Sequence, residues 1–343
     1  MPRIPSSSRL AAAILFAAVS GVSAASAAAT PDPISLLDST LAPPAVPYQG
    51  HVTVTQWFGK QTRAEEMRVY VKPPDKIRRE FLAPDGSVTR VSVSDGDEES
   101  VFLVRAGKTI RGDAVRSYEK VLPPDLERDT LISNYELSAS TADKVAGRTT
   151  WRLTMKPRMD GKPWQVLWVD QETKVVLRSR RYIPKRSSAS RAQFDSFDAR
   201  KPQEDALFEV AEATAGVIEA RGLAPEFLTL DQLNQKTGDQ SRLPAALPGG
   251  FVFESADVLP VRGRQVLHAR YTDGLIVISL FQTDRKVKIP KGGIISSGGV
   301  HLPGPLRASS AGKLIQWGGG RRYYTLMGDV SKELVSDIIK RLP

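Results

Sequence analysis

The sequence predicts a mainly β protein with a smaller α+β unit behind it. Three observations carry that prediction. Apolar residues recur at a period of two over much of the chain from Tyr48, Asp-Gly pairs punctuate these runs, and the pattern changes after Val210. A length of 343 residues with 41% hydrophobic content suits one large or two ordinary domains, not a disordered chain.

The first thirty residues read as a Sec-type secretory signal. Arg3 and Arg9 form a basic start, Leu10 to Val22 is a small-apolar stretch, and ASAAAT offers cleavage sites after Ala27 or Ala29. A membrane anchor would need about 18 or more apolar residues, and this run is shorter. No later segment is apolar enough to span a bilayer. Removing residues 1–29 takes away two arginines and no acid, so the net charge of +10 falls to +8. The mature chain is expected to be soluble, exported and basic.

Next comes a short helix over Ile34 to Leu41, stopped by Pro43-Pro44. From Tyr48 the alternation begins. Met67, Val69 and Val71 alternate with Arg68, Tyr70 and Lys72; Val91 and Val93 alternate with Ser92 and Ser94. Val101 and Leu103 alternate with Phe102 and Val104, while Trp164, Val166 and Trp168 alternate with Gln165, Leu167 and Val169. Asp85-Gly86, Asp95-Gly96, Asp160-Gly161 and Asp273-Gly274 supply the positive-φ residues that tight antiparallel connections need. Tyr48 to about Val210 is therefore expected to form an antiparallel sheet of roughly nine to eleven short strands.

Several strands are apolar on both faces, notably Val101 to Val104 and Trp164 to Val169. Something must cover each face of such a sheet. Either a helix or loop fills a curved sheet, or its inside is a partly open apolar cavity suited to a lipid tail. The residues nominated to line such a cavity are Trp57, Met67, Val69, Val71, Phe81, Val91, Val93, Trp164 and Trp168. Period-two placement does not say which of them face inward.

After Leu207-Phe208-Glu209-Val210 the pattern changes. Ala211 to Ala220 is small and helix-permissive, and Asn234 to Arg242 is polar without periodicity, which reads as a connector. A second unit starts near Leu243. It holds Phe251-Val252-Phe253, a strand at Leu275 to Phe281, another at Arg322 to Met327, and a closing amphipathic helix from Ser331 to Leu342. The expected divisions are a signal over 1–29, a β domain over 30–212, a linker over 213–243 and an α+β domain over 244–343.

Composition restricts the chemistry. The absence of cysteine removes thiol catalysis, thiolate zinc sites, disulfides and a lipidated N-terminal cysteine. His51, His268 and His301 are the only imidazoles. Asp95, Asp97 and Glu99 lack the remaining ligands of a calcium loop and read as a hairpin tip. Gly318-Gly319-Gly320 lacks the lysine and spacing of a phosphate loop, and no G-x-S-x-G occurs. Asp170 and Glu172 are placed to cap the turn into the next strand, Lys174 to Arg181, and to pair with that strand's cations. No enzyme, cofactor or metal is expected. For a basic exported chain no nucleic-acid partner is expected, and the +8 surface serves either an anionic envelope partner or solubility alone. Arg178, Arg180, Arg181, Lys185, Arg186 and Arg191 cluster within one short stretch; the first five are the candidates for an anionic ligand or partner.

Several of these segments also carry a family resemblance. HVTVTQW, KPPDKIRREF with APDG and VSDG, VAGRTTWRLTMKP and VLWVDQETKVVLRSRRY follow the order of the half-open barrel of LolA/LolB-type lipoprotein carriers. Trp168-Val169-Asp170-Gln171-Glu172-Thr173-Lys174 resembles the strand, Asp-x-Glu turn, strand unit of MucB/RseB-type periplasmic sigma-E regulators. Leu247-Pro248-Gly249-Gly250-Phe251, Arg270 to Leu275 and the closing helix resemble the LPxGF, YSDGL and final-helix pattern of the same family. The resemblance implies a periplasmic protein that binds the periplasmic segment of a membrane anti-sigma factor and responds to envelope lipid or lipopolysaccharide. A lipoprotein or lipid carrier and a structural module without ligand are the alternatives.

Overall fold

The structure, a computed structural model, describes residues 29–343 except 59–60, 114–121, 184–188, 211–212, 220–225, 239–240, 242, 262–263, 286–296, 301–307, 311–312, 320–321 and 343. The expected secretory signal thus lies outside the described residues, apart from its last position.

Helix α1 (Pro33–Leu41) opens the described chain, and Asp32 caps it by accepting from the Ser35 amide at 2.9 Å. Six strands follow as a meander: β1 (Tyr48–Phe58), β2 (Gln61–Lys72), β3 (Lys76–Leu82), β4 (Val88–Ser94), β5 (Glu98–Leu103) and β6 (Lys108–Asp113). Helix α2 (Pro124–Asn134) then leads into a second meander of β7 (Tyr135–Val145), β8 (Arg148–Pro157), β9 (Trp164–Asp170), β10 (Val176–Tyr182) and β11 (Ser190–Asp198). The connector adds β12 (Val217–Glu219). These form one twelve-stranded sheet in the order β12-β6-β5-β4-β3-β2-β1-β11-β10-β9-β8-β7. Its edges, β12 and β7, do not pair with each other, and its curl brings β7 close to β11 across three intervening strands. It is the half-open antiparallel barrel expected from the sequence, with the alternation explained by register.

Cross-strand pairing assigns the faces. Tyr48, Val52 and Val54 on β1 share one face with Met67, Val69 and Val71 on β2, Phe194 on β11, Leu177 on β10, Leu167 on β9 and Leu153 on β8. All are buried, and with Leu36, Leu37 and Leu131 of the two helices they form the core. This is the inner face. Burial of such side chains contributes roughly 1.5–3 kcal/mol each. The outer face needs its own cover where it is apolar. Over β4, Val91 and Val93 pack against Phe208, which a short 3-10 turn at Asp205–Phe208 brings across the sheet.

The second sheet is built from β13 (Ala246–Leu247), β14 (Phe251–Val261), β15 (Arg264–Thr272), β16 (Val277–Thr283), β19 (Lys313–Gly319) and β20 (Arg322–Gly328). Its order is β13-β14-β15-β16-β20-β19, and a separate hairpin pairs β17 (Ser297–Val300) with β18 (Ala308–Ser310). The closing helix α4 (Lys332–Arg341) is capped by Ser331 and buries Leu334, Val335 and Ile338 at helical spacing, as the sequence predicts.

Three elements depart from the sequence reading. Part of the polar stretch read as a connector is helix α3 (Leu230–Thr237), held by a capping box between Thr229 and Gln232 and by one buried side chain, Leu233. Such a cap contributes about 1 kcal/mol, so a helix this short forms with a single apolar contact. Within the helix-permissive Ala211 to Ala220, Val217–Glu219 is a strand running parallel to β6. Helix α2 has no counterpart in the sequence reading. Pro124 at its start and Asp125 and Glu127 in its first turn set it up, and Arg128 ties it to α1 through Asp38 at 2.6 Å.

Candidate functional site

The two sheets meet through a buried polar joint. Lys162, in the β8–β9 turn, places its ammonium 3.1 Å from Asp273 of the second sheet, and both side chains are fully buried. Lys162 also donates to the Gly249 carbonyl at 2.9 Å and to Asn134 Oδ1 at 3.3 Å. Asp273 Oδ2 accepts from Tyr135 at 2.7 Å, while Oδ1 accepts the Leu275 and Ile276 amides at 3.0 and 2.9 Å. Asn134 Nδ2 donates to the Gly250 and Asp273 carbonyls. The ammonium, carboxylate and amide groups at the centre are thus matched. Burial, reinforced by the Asp273 charge, pushes the Tyr135 phenol well above its ordinary value and keeps it a donor.

The joint uses the motifs singled out in the sequence. Gly249 and Gly250 of LPGGF and Asp273-Gly274 of YTDGL are its contribution from the second sheet. Gly274 has φ +93°, and a Cβ there would run into the backbone of Leu131 on α2. Only glycine permits that turn and that approach together. Nothing local in the sequence distinguishes Asn134, Tyr135 and Lys162.

Arg181 belongs to this joint. The sequence groups it with Arg178 and Arg180 as a cation for an anionic partner, but strand alternation turns it to the inner face. There it is 3% exposed and 3.8 Å from Asp329 beside the second sheet. Burial works against its charge, and Asp329, Tyr135 and Asp273 offset that. Lys185 and Arg186 lie outside the described residues.

Arg178 and Arg180 stand on the outer face. The Arg178 guanidinium lies 4.9 Å from the Trp168 ring centroid, bonds Gln193 through Nε at 2.8 Å, and pairs with Asp143 at 3.2 Å. Arg180 lies 4.9 Å over Tyr182, whose ring stacks on Trp164 at 3.9 Å. Register adds two arginines: Arg191 sits directly opposite Arg180, and Arg152 directly opposite Trp168. Both are exposed. The sequence could show Arg191 as a near neighbour; Arg152 arrives only through the β8–β9 pairing.

The nine residues nominated to line a cavity do not share a surface. Met67, Val69, Val71 and Phe81 lie on the inner face, the first three closed into the core at 0–3% exposure. Val91, Val93, Trp164 and Trp168 lie on the outer face, and alternation along β1 puts Trp57 there too. Two described cavities have other linings. One of about 450 Å³ lies between the β8–β9 turn and α4, at Met159, Asp160, Gly161, Ser331, Glu333, Leu334 and Asp337. One of about 210 Å³ lies between the end of α1 and the Thr173–Val176 turn.

The carboxylates of the Asp-x-Glu turn are structural. Asp170 is buried, receives Arg148 at 3.0 and 2.8 Å, and accepts from the Thr173 amide and hydroxyl. Burial alone would raise its pKa, but Arg148 and Thr173 outweigh that and lower it. Glu172 meets the same Arg148 at 2.6 Å, so the cation comes from β8 and not from β10. Asp95 accepts the Asp97 and Glu98 amides as a turn former. Among the described residues no three His, Asp or Glu side chains converge as a metal site, and no helix is long and apolar enough to cross a membrane.

Residues 48–212 match the MucB/RseB N-terminal domain family. Among solved structures, the Pseudomonas aeruginosa MucA/MucB complex is 20% identical, covering 90% of this chain and 97% of that one, with a TM-score of 0.54. A second structure, of MucB in complex with MucA(peri), is 21% identical, covering 90% of this chain and 97% of that one, with a TM-score of 0.53. At that identity the likeness is one of fold, and it extends over both sheets. No curated protein sequence matches the chain.

Proposed function

Because residues 48–212 match the MucB/RseB N-terminal domain family, we propose that this chain is an exported regulatory binding protein. It holds the periplasmic segment of a membrane-bound anti-sigma factor and releases it when envelope lipid or lipopolysaccharide signals arrive. The family match carries the reading. The two similar complexes support it, since in both a MucB is found with MucA. A binding role also suits a site made of a salt-bridged joint and an arginine-rich face, which offer recognition without an aligned acid, base or nucleophile.

The structure also weighs on the choice between regulator and carrier. Cargo would need room along the inner face, and Met67, Val69 and Val71 are buried there at 0–3% exposure within the hydrophobic core. The second sheet, which a simple carrier does not require, is joined to the first by the Lys162–Asp273 network. The test is in-cell crosslinking of the tagged mature protein followed by mass spectrometry. Recovery of a single-pass inner-membrane protein with a cytoplasmic sigma-binding segment is the expected result. A spread of lipoproteins or free lipid without such a protein would overturn the reading in favour of a carrier.

A further inference from the structure

The outer face of β8–β11 is more than a solvated basic surface. Read across the strands, one row runs Ser140, Arg152, Trp168, Arg178, Gln193, and the next runs Ser138, Thr154, Val166, Arg180, Arg191. Neither row contains a carboxylate. Asp143, from the β7 bulge, reaches in and meets Arg178. Arg180 and Arg191 are directly opposed on neighbouring strands, an arrangement that like charges disfavour. An anion placed between them would reverse that.

Two of the four arginines are also held in position. Trp168 lies beneath Arg178, and the stacked Tyr182–Trp164 pair lies beneath Arg180, so these guanidinium planes are supported before any partner arrives. A supported guanidinium loses less freedom on binding and presents its edge to a carboxylate as a fork. We infer that this face docks an acidic, extended polypeptide segment through Arg152, Arg178, Arg180 and Arg191. The inference rests on the anti-sigma reading and adds the chemistry of the segment that is held.

Geometry favours a polypeptide over a lipid surface. The Trp168 and Tyr182 rings lie under guanidinium groups, Trp168 is only 9% exposed, and among the described residues the large exposed apolar side chains lie elsewhere, so this face is poorly suited to entering a bilayer. Along β10, Arg178 and Arg180 are two residues apart, a separation of about 6.8 Å on a strand. Carboxylates at alternate positions of an extended segment repeat at that same distance. A peptide laid along the strand therefore meets one guanidinium with each acid.

The probe is a fluorescein-labelled synthetic peptide of alternating Glu and Thr, read by fluorescence anisotropy against the mature protein, with an alternating Lys and Thr control. Wild-type protein is expected to bind the acidic peptide alone and to lose about tenfold in affinity between low and high salt. Arg152→Glu with Arg191→Glu, both exposed and outside the aromatic stacks, should lower that affinity at least tenfold while thermal unfolding stays unchanged. Arg152→Gln with Arg191→Gln should give a smaller loss in the same direction. Equal affinity in the double variant, or binding to anionic phosphatidylglycerol vesicles in place of the peptide, overturns the proposal. In-cell crosslinking of the same variants separates the two readings. If wild-type and double variant capture the same membrane partner equally, the face is not the dock and the regulator reading survives; if the wild-type captures no such partner, the regulator reading fails.

Discussion

Removing the charge of Lys162 is the sharpest test of how the two sheets are held together. At 3.1 Å and an effective dielectric near 20, its attraction to Asp273 is about 5 kcal/mol, most of it offset by the cost of drying both groups. Take away one partner and the other charge stays buried without its counterion, so Lys162→Met should cost about 3–5 kcal/mol. Asp273→Asn should cost a similar amount, because its Oδ1 still accepts the Leu275 and Ile276 amides while the Lys162 ammonium is stranded. The double variant Lys162→Met/Asp273→Asn should lose no more than the worse single one. Urea unfolding followed by tryptophan fluorescence suits the question, since Trp57, Trp151, Trp164 and Trp168 report the first sheet and Trp317 the second. The wild type should unfold in one transition and Lys162→Met in two, the sheets having lost their registry. Singles costing under about 1 kcal/mol each, or costs that simply add in the double, would refute the reasoning.

Three further outcomes follow from particular contacts. Trp168→Ala, which empties the space beneath Arg178, should destabilise the protein by about 3 kcal/mol in urea titration. Gly274→Ala should cost about 2 kcal/mol or more and weaken the docking of the sheets, measured as faster proteolysis near residue 274, because the turn needs positive φ and the space holds the Leu131 backbone. His268 is stacked on Phe281, and burial, helped by Arg270 and opposed by Asp257, lowers its pKa to about 4. Its ordinary value is 6.5, so the unfolded chain takes up this proton first as pH falls. Stability is full above about pH 6.5 and declines towards pH 4, by about 2 kcal/mol at pH 5. That slope should flatten in His268→Gln, as measured by thermal unfolding across the pH series.

The strands were legible because period two survives in the residues themselves: Met67, Val69 and Val71 are buried where the alternation puts them. The Asp-Gly turns were equally plain, with Gly86, Gly96, Gly161 and Gly274 all at positive φ. Face assignment was not legible, since alternation fixes relative orientation within one strand and only pairing relates strands to one another. Alternation alone therefore treats Met67 and Trp164 alike and sets Arg181 among cations that point the opposite way. Helix α3 hid because one leucine in a polar run gives no periodicity, its stability residing in the Thr229 and Gln232 cap. The joint was half visible: its glycines and Asp273 sit in recognisable motifs, while the second-sheet partners of Lys162 and Asn134 lie more than eighty residues away.

The order of strands in the first sheet also governs how the chain reaches its native state. β1 to β6 are sequential neighbours, as are β7 to β11, so each meander assembles from nearby segments. The two halves join through β1 and β11, where Thr53 meets Asp195 across 142 residues of chain. Closing a loop of that size costs on the order of 4 kcal/mol in chain entropy, recovered only as the long ladder zips together. Until β11 arrives, β1 presents an unpaired edge backed by Val52 and Val54. Late closure of this seam makes it the slow step of folding and the place where a newly made chain is most exposed to strand exchange and aggregation.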